Sequence, residues 1–471
     1  MKLNVSKSLL VLVTLILLVA PLLIQGSLTM KGKEPYLIDR LSSRLTETSL
    51  QSGDELSYSG RPYSYTLGTI AVVSLIKNLT TDNTAILYIP ILLGIITAVL
   101  FYLIIHHLTN DRKISSISTL ILVISPAFIY TFLFIKEFTI PVFLALLAFY
   151  LLLKNKYKFL AYILLIILPI FGLEHAIISL IIIGLNYKRD KKHHTIIPAI
   201  LLILISVMLN LQFLISYGLP EVASFQDHNP LFQIFSDFGS EFGISVFIIF
   251  LAIFGLKELW KQKYAHKKVY LSLFLLIILL IIKAKFVIYA IFLLAPLAAL
   301  GGIYLFNSKW ESKIIKDLTV LILVLGLIFS TASFLNSYKQ SQPSEEIIES
   351  LKFLNLNSNQ DSVILSHRSY GIWINSIALR KNLMDEKTLY APDVNKRYLD
   401  SQEIFTSRNL EKTKNILGGY NLSYIYITPE MKQGLVWNYE EDGLLFVLKF
   451  SPESFEKIYD KDGIEIWKVK K

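Results

Sequence analysis

The chain has 471 residues, 54% of them hydrophobic and 17% charged, with a formal net charge of +10 and no cysteine. The missing cysteines exclude a disulfide framework, a thiolate metal site and a cysteine nucleophile. The positive charge does not point to nucleic acid, because the lysines fall in short clusters between apolar runs, as they do in cytoplasmic loops, rather than along one groove.

The apolar runs approach bilayer length again and again, so the fold class expected is an α-helical polytopic membrane protein. Residues 8–25, preceded by Lys2 and Lys7, read as a retained first span with the N-terminus inside. An outer loop over residues 27–83 follows, and its apolar stretch 66–77 is too short to cross and reads as interfacial or re-entrant. Further spans are expected near 84–105, 115–135, 138–153, 159–172, 173–186, 195–217, 242–256, 269–282, 286–306 and 318–337, about eleven in all. Alternation then puts the basic clusters around Arg112, Lys154–Lys158, Lys188–Lys192, Lys257–Lys268 and Lys309–Lys316 on one side. Residues 1–337 form this membrane domain. Residues 338–471 change character, with helical periodicity at 344–356 and 408–419 and strand-like runs at 362–365, 424–428, 444–450 and 464–469. They read as a small α/β domain outside the membrane.

Chemistry is expected on the outer face. Pro35 suits a first helical turn, and Leu37, Leu41 and Leu45 recur at helical spacing, which predicts an amphipathic helix with Glu34 at its start and Asp39, Arg40, Ser43, Arg44 and Glu47 mostly off the apolar stripe. The same face receives the turns Lys136-Glu137, Glu174-His175 and Lys283 to Lys285, and the long loop 218–241 with Glu221, Asp227 and His228. Glu34 and Glu137 are candidates to share a divalent cation, Mg²⁺ or Mn²⁺, since such ions combine one or two carboxylates with a substrate phosphate. Lys283 and Lys285 are candidates to neutralise a lipid phosphate. Against these stand ordinary readings: a solvated loop helix, a turn ion pair, and lysines that snorkel from helix ends.

Several stretches resemble the membrane-embedded oligosaccharyltransferase catalytic subunits, archaeal ones included, and their relatives in the GT-C glycosyltransferase superfamily. Glu34-Pro35-Tyr36 with Arg40 resembles that family's D-P-Y-x-x-x-R pattern, and Lys136-Glu137 stands where a second acidic motif is expected. Lys285-Phe286 followed by APLAALGG is similar to the basic-aromatic pair that opens a Pro/Ala/Gly-rich span. In the tail, SHRSYGIWINSIALRKNLMD is similar to the W-W-D-Y-G segment and the helix behind it, with Tyr370 and Gly371 kept and His367, Arg368 and Ser369 in place of the two Trp and the Asp. The resemblance implies a transferase that takes a sugar or glycan from a polyprenyl-phosphate-linked donor, with Ser369 in place of the acidic residue that reads a standard sequon.

On that resemblance Glu34 and Asp39 are the catalytic candidates and Glu34 and Glu137 the metal ligands. Arg40, Lys283 and Lys285 would contact the donor phosphate, and Glu221, Asp227, His228, Ser369 and Tyr370 would lie on the acceptor side. The partners expected are the lipid-linked sugar, membrane lipid and a glycan or protein acceptor, with inverting chemistry at the cell membrane. Two other readings stay open: a divergent oligosaccharyltransferase acting on protein asparagine, and a lipid-linked glycan transporter or noncatalytic scaffold.

Overall fold

The computed structural model describes residues 7–24, 30–47, 53–62, 67–80, 85–186, 192–224, 233–339 and 343–470. The chain divides into two units, Met1–Met30 with Thr66–Asn210 and His228–Ser341, and Lys31–Tyr65 with Leu211–Asp227 and Gln342–Lys471. Segment 31–65, attached to the membrane domain in the sequence reading, therefore clusters with the C-terminal residues.

Among the described residues four helices are long and apolar enough to cross a membrane: Ile86–Thr109, Thr195–Tyr217, Ala284–Asn307 and Lys313–Tyr338. Each has 23 to 26 residues, where a hydrocarbon core about 30 Å thick asks for about 20 at 1.5 Å each. Shorter apolar helices include Ser8–Leu22, Thr139–Lys154, Lys158–Phe171 and Leu173–Asn186, and Val246–Trp260 and Lys267–Ile282 follow. The chain is a mostly helical membrane protein. Run 115–135, expected as one span, is instead a pair of helices, Arg112–Val123 and Pro126–Leu133, bent by 65°. Pro126 occupies the first turn of the second helix and Ser125 before it is extended, as the clash of a proline ring with the preceding residue requires.

Within the first unit, helices Val246–Trp260 and Val287–Asn307 meet backbone to backbone. A Cβ on Gly255 would lie 1.9 Å from the Leu297 carbonyl oxygen, and one on Gly301 would lie 1.9 Å from that of Leu251. Small residues permit such an approach between membrane helices. On helix Lys267–Ile282 the large side chains Leu271, Phe274, Ile277 and Ile281 are exposed, the surface expected of a helix solvated by lipid.

In the second unit a short hairpin, β1 (Gly53–Asp54) and β2 (Arg61–Pro62), precedes a five-stranded sheet. Its strands are β3 (Val363–Leu365), β4 (Lys381–Asn382), β5 (Leu422–Ile427), β6 (Phe455–Lys461) and β7 (Ile464–Val469), in the order β4-β3-β5-β7-β6. β3 runs parallel to β4 and β5, and β7 is antiparallel to β5 and β6. Helix Glu345–Asn357, whose Ser344 cap accepts from the Ile347 N–H, buries Ile347, Leu351 and Leu354 in a core shared with Ile364, Ile425 and Ile466. Run 444–450, expected as a strand, is the helix Leu444–Phe450 with Leu444, Leu445, Val447 and Leu448 buried. A short apolar run carries no period that separates strand from helix.

Candidate functional site

Three turns far apart in sequence bring their charges together in the first unit. Glu137, between helices Pro126–Leu133 and Thr139–Lys154, has a carboxylate oxygen 3.6 Å from Lys285 Nζ. Glu174, in the first turn of helix Leu173–Asn186, is ion-paired with Lys283. Lys283 and Lys285 belong to the tight connection between Lys267–Ile282 and Val287–Asn307, where the Phe286 N–H donates to the Lys283 carbonyl at 3.1 Å. Behind these charges His175 is buried, with Nδ1 2.7 Å from the Tyr289 hydroxyl and its ring edge-on to Phe138 at 4.8 Å.

The backbone that carries Glu137 is held on several sides. The Thr69 hydroxyl donates to the Glu137 carbonyl at 3.3 Å, and the Lys136 N–H donates to the Thr139 hydroxyl at 2.9 Å. Lys136 is buried with its ammonium 3.2 Å from the Tyr130 ring centroid and 5.4 Å from that of Tyr338, a cation–π arrangement that compensates part of its lost hydration.

In the second unit Glu34 is the first residue of helix Glu34–Glu47 and is half-buried, as is Asp39. The Asp39 carbonyl accepts the hydroxyls of Ser42 and Ser43 at 2.9 and 3.0 Å. Burial, with the Asp39 charge in a smaller role, pushes the Tyr36 hydroxyl up to about 12. Arg40 is buried and spreads both terminal nitrogens on the carboxylate of Asp54, at 2.8 and 2.7 Å. Its planar fork matches a carboxylate, so the guanidinium offered above to a donor phosphate here joins the helix to β1.

Around the tail segment, Tyr370 is buried and donates its hydroxyl to Glu430 at 2.9 Å. Burial raises the pKa of that hydroxyl, keeping it a donor. The His367 Nδ1 lies 2.7 Å from the Ser369 hydroxyl and also accepts the Ser369 N–H at 3.4 Å. Burial, helped by the charges of Arg368 and Lys33, holds His367 down at about 4. The ring is therefore neutral near pH 7, and Nδ1, which accepts the Ser369 N–H, is also placed to accept the Ser369 hydroxyl. Glu221 is exposed and accepts from Asn395 Nδ2 at 2.6 Å. Asp227 and His228 lie outside the described residues.

Sequence reasoning missed Asp54, which answers Arg40, and a second buried carboxylate, Asp385, which answers no residue it named: the Asp385 carboxylate accepts the Ser57 hydroxyl at 2.6 Å and the Lys387 N–H at 2.8 Å, while its carbonyl accepts the Tyr58 hydroxyl at 2.6 Å. The pairing of Glu174 with Lys283 had a signal, since an acidic residue amid apolar sequence calls for a partner.

Among the described residues no three His, Asp or Glu side chains gather as a metal ion would require, and Glu137 faces an ammonium group. Glu137 would therefore hold a divalent cation only by leaving Lys285.

No family model matches the sequence, and no curated protein matches it. Solved structures do. The archaeal oligosaccharyltransferase AglB from Archaeoglobus fulgidus, in complex with an inhibitory peptide and a dolichol-phosphate, aligns with 99% of this chain and 74% of its own at 12% identity and a TM-score of 0.64. The Archaeoglobus fulgidus oligosaccharyltransferase in complex with Zn and sulfate aligns over 98% and 73% at 13% identity and 0.65. ArnT from Cupriavidus metallidurans, bound to undecaprenyl phosphate, aligns over 98% and 97% at 9% identity and 0.54. The present chain has the fold of these structures, at 9–13% sequence identity.

Proposed function

We propose that the chain is a membrane glycosyltransferase that moves a sugar or glycan from a polyprenyl-phosphate-linked donor to an acceptor outside the cytoplasmic membrane. The observation that carries this reading is the gathering of Lys283 and Lys285 against Glu174 and Glu137 at the polar ends of apolar helices. It occurs in a fold shared with one protein solved with a dolichol-phosphate and another solved with undecaprenyl phosphate.

In the proposed reaction an acceptor oxygen or nitrogen attacks the anomeric carbon of the donor sugar. The bond from that carbon to the phosphate oxygen breaks, and the lipid phosphate leaves with the electron pair. Lys283 and Lys285 stabilise the charge that develops on the departing phosphate, an electrostatic effect that is strong where water is scarce. On the sequence resemblance alone, Glu34 is assigned the proton of the attacking group, with Asp39 as the second carboxylate of that helix. A single displacement of this kind inverts the sugar. Glu221, Ser369 and Tyr370 are assigned to the acceptor side. In topology the reading takes about eleven spans, with the N-terminus inside and residues 338–471 outside.

Protein asparagine is the second acceptor class, favoured by the likeness to the oligosaccharyltransferases. Ser369 weighs against a standard sequon, because its hydroxyl is placed to donate to His367 and carries no negative charge with which to receive a threonine hydroxyl.

Glu34→Gln tests the assignment, since it removes the charge with little change in volume. Transfer from a polyprenyl-phosphate-linked sugar is expected to fall at least a hundredfold, on the order of a general base, while Glu411→Gln on an exposed helix face leaves it unchanged. Equal activity in Glu34→Gln and wild type removes Glu34 from the chemistry.

A further inference from the structure

The two lysines assigned to the donor phosphate are already engaged. Lys285 lies 3.6 Å from Glu137, and Lys283 is paired with Glu174. Two ammonium groups against two carboxylates make a cluster of zero formal charge. Such a cluster draws an incoming phosphate weakly by net charge, and phosphate oxygens compete with carboxylate oxygens for the same N–H donors.

We propose that the donor phosphate binds by exchange, taking Lys285 from Glu137 and Lys283 from Glu174, so that the two carboxylates act as built-in competing anions. This inference rests on the donor-phosphate reading of the site. Access supports it: the side chains of Glu137, Lys285 and Glu174 are 27%, 24% and 20% exposed, and that of Lys283 is 52% exposed. All four side chains are thus partly exposed. The backbones beneath them are anchored, by Thr69 on the Glu137 carbonyl at 3.3 Å and by the Lys283 N–H on the Leu279 carbonyl at 2.9 Å. Exchange then needs only side-chain rotation, with no movement of the helices. The carboxylates hold the lysine ends before the donor arrives, and they set a threshold that a weaker anion does not pass.

The sign of one mutational effect separates exchange from a fixed scaffold. If the carboxylates compete, removing either charge helps the phosphate; if they only position the lysines, removing either one hurts it. Purified protein in detergent is titrated calorimetrically with a short-chain polyprenyl monophosphate. Glu137→Gln and Glu174→Gln are each expected to bind it about three- to tenfold more tightly than wild type, the scale of a partly exposed ion pair. Lys285→Gln is expected to bind it at least as many times more weakly. Tighter binding in either Glu variant, with weaker binding in Lys285→Gln, supports exchange. Binding in wild type that weakens or stays the same in both Glu variants overturns exchange and leaves the donor-phosphate reading standing. Absence of binding in wild type, or undiminished binding in both Lys285→Gln and Lys283→Gln, overturns that reading and the exchange with it.

Discussion

Removing the Asp54 charge should open the hairpin that follows helix Glu34–Glu47. Arg40 and Asp54 share two charge-assisted hydrogen bonds, at 2.8 and 2.7 Å, and their side chains are 4% and 0% exposed. Breaking a buried pair by removing one partner costs about 3–5 kcal/mol, because the other charge stays out of water. Asp54→Asn is near-isosteric, so almost all of its effect is electrostatic. Arg40→Met should cost less, since Asp54 also accepts the Leu56 N–H at 3.3 Å and lies 3.7 Å from Arg44. Replacing both partners by apolar residues, Arg40→Met with Asp54→Leu, should cost less than the sum of the singles. Chymotryptic cleavage after Tyr58 reads the opening, because Tyr58 is fully buried and cleavage requires local unfolding. At tenfold per 1.4 kcal/mol, Asp54→Asn should be cut roughly a hundred- to several-thousandfold faster. Cleavage within about threefold of wild type would refute the structural role given to the pair. A well-protected Arg40→Met that binds donor poorly would return Arg40 to the phosphate.

His367 supplies a pH dependence. Its folded pKa of about 4 lies below the ordinary 6.5, so as pH falls the unfolded chain takes up the proton first. Stability present above pH 6.5 is lost between about 6.5 and 4 and then levels off, by roughly 3 kcal/mol at most; His367→Gln should flatten that slope in thermal melts, and an unchanged slope would contradict it. Gly301→Ala should destabilise by about 1–3 kcal/mol because its methyl meets the Leu251 carbonyl, while Gly302→Ala, with nothing within 4 Å of its Cβ, should not. Losing an ionised acceptor costs about 1.5–3 kcal/mol, so Asn-x-Thr peptides should be glycosylated no better than Asn-x-Ala ones; strong sequon dependence would restore the oligosaccharyltransferase reading. A tag at Lys471 should be cleaved by protease added to intact cells, and a protected tag would reverse the proposed topology.

Helices were legible where the chain is most apolar. Each long hydrophobic run carries helix because a bilayer satisfies backbone polar groups only internally. Pro35, Leu37, Leu41 and Leu45 likewise announced helix Glu34–Glu47. The bend before Pro126 was legible in the Ser-Pro step but was smoothed over by the length of run 115–135. In the C-terminal residues the reading failed where burial is sparse. Helix Val394–Thr406 buries only Val394, Ser401, Ile404 and Phe405, too thin a stripe to stand out from its polar neighbours. Pairings were the least legible. Glu137 and Lys285, or Tyr58 and Asp385, lie far apart in the chain, and nothing local at either residue names its partner.

Release of the lipid carrier tests the transferase claim most directly. Purified protein in vesicles is given a radiolabelled sugar on polyprenyl phosphate, together with extracts of candidate acceptors. A transferase should convert the donor to free polyprenyl phosphate with label appearing in acceptor, in wild type and Glu411→Gln but not in Glu34→Gln. Intact donor in every case, or donor carried unchanged across the bilayer, would contradict it and favour a scaffold or a transporter.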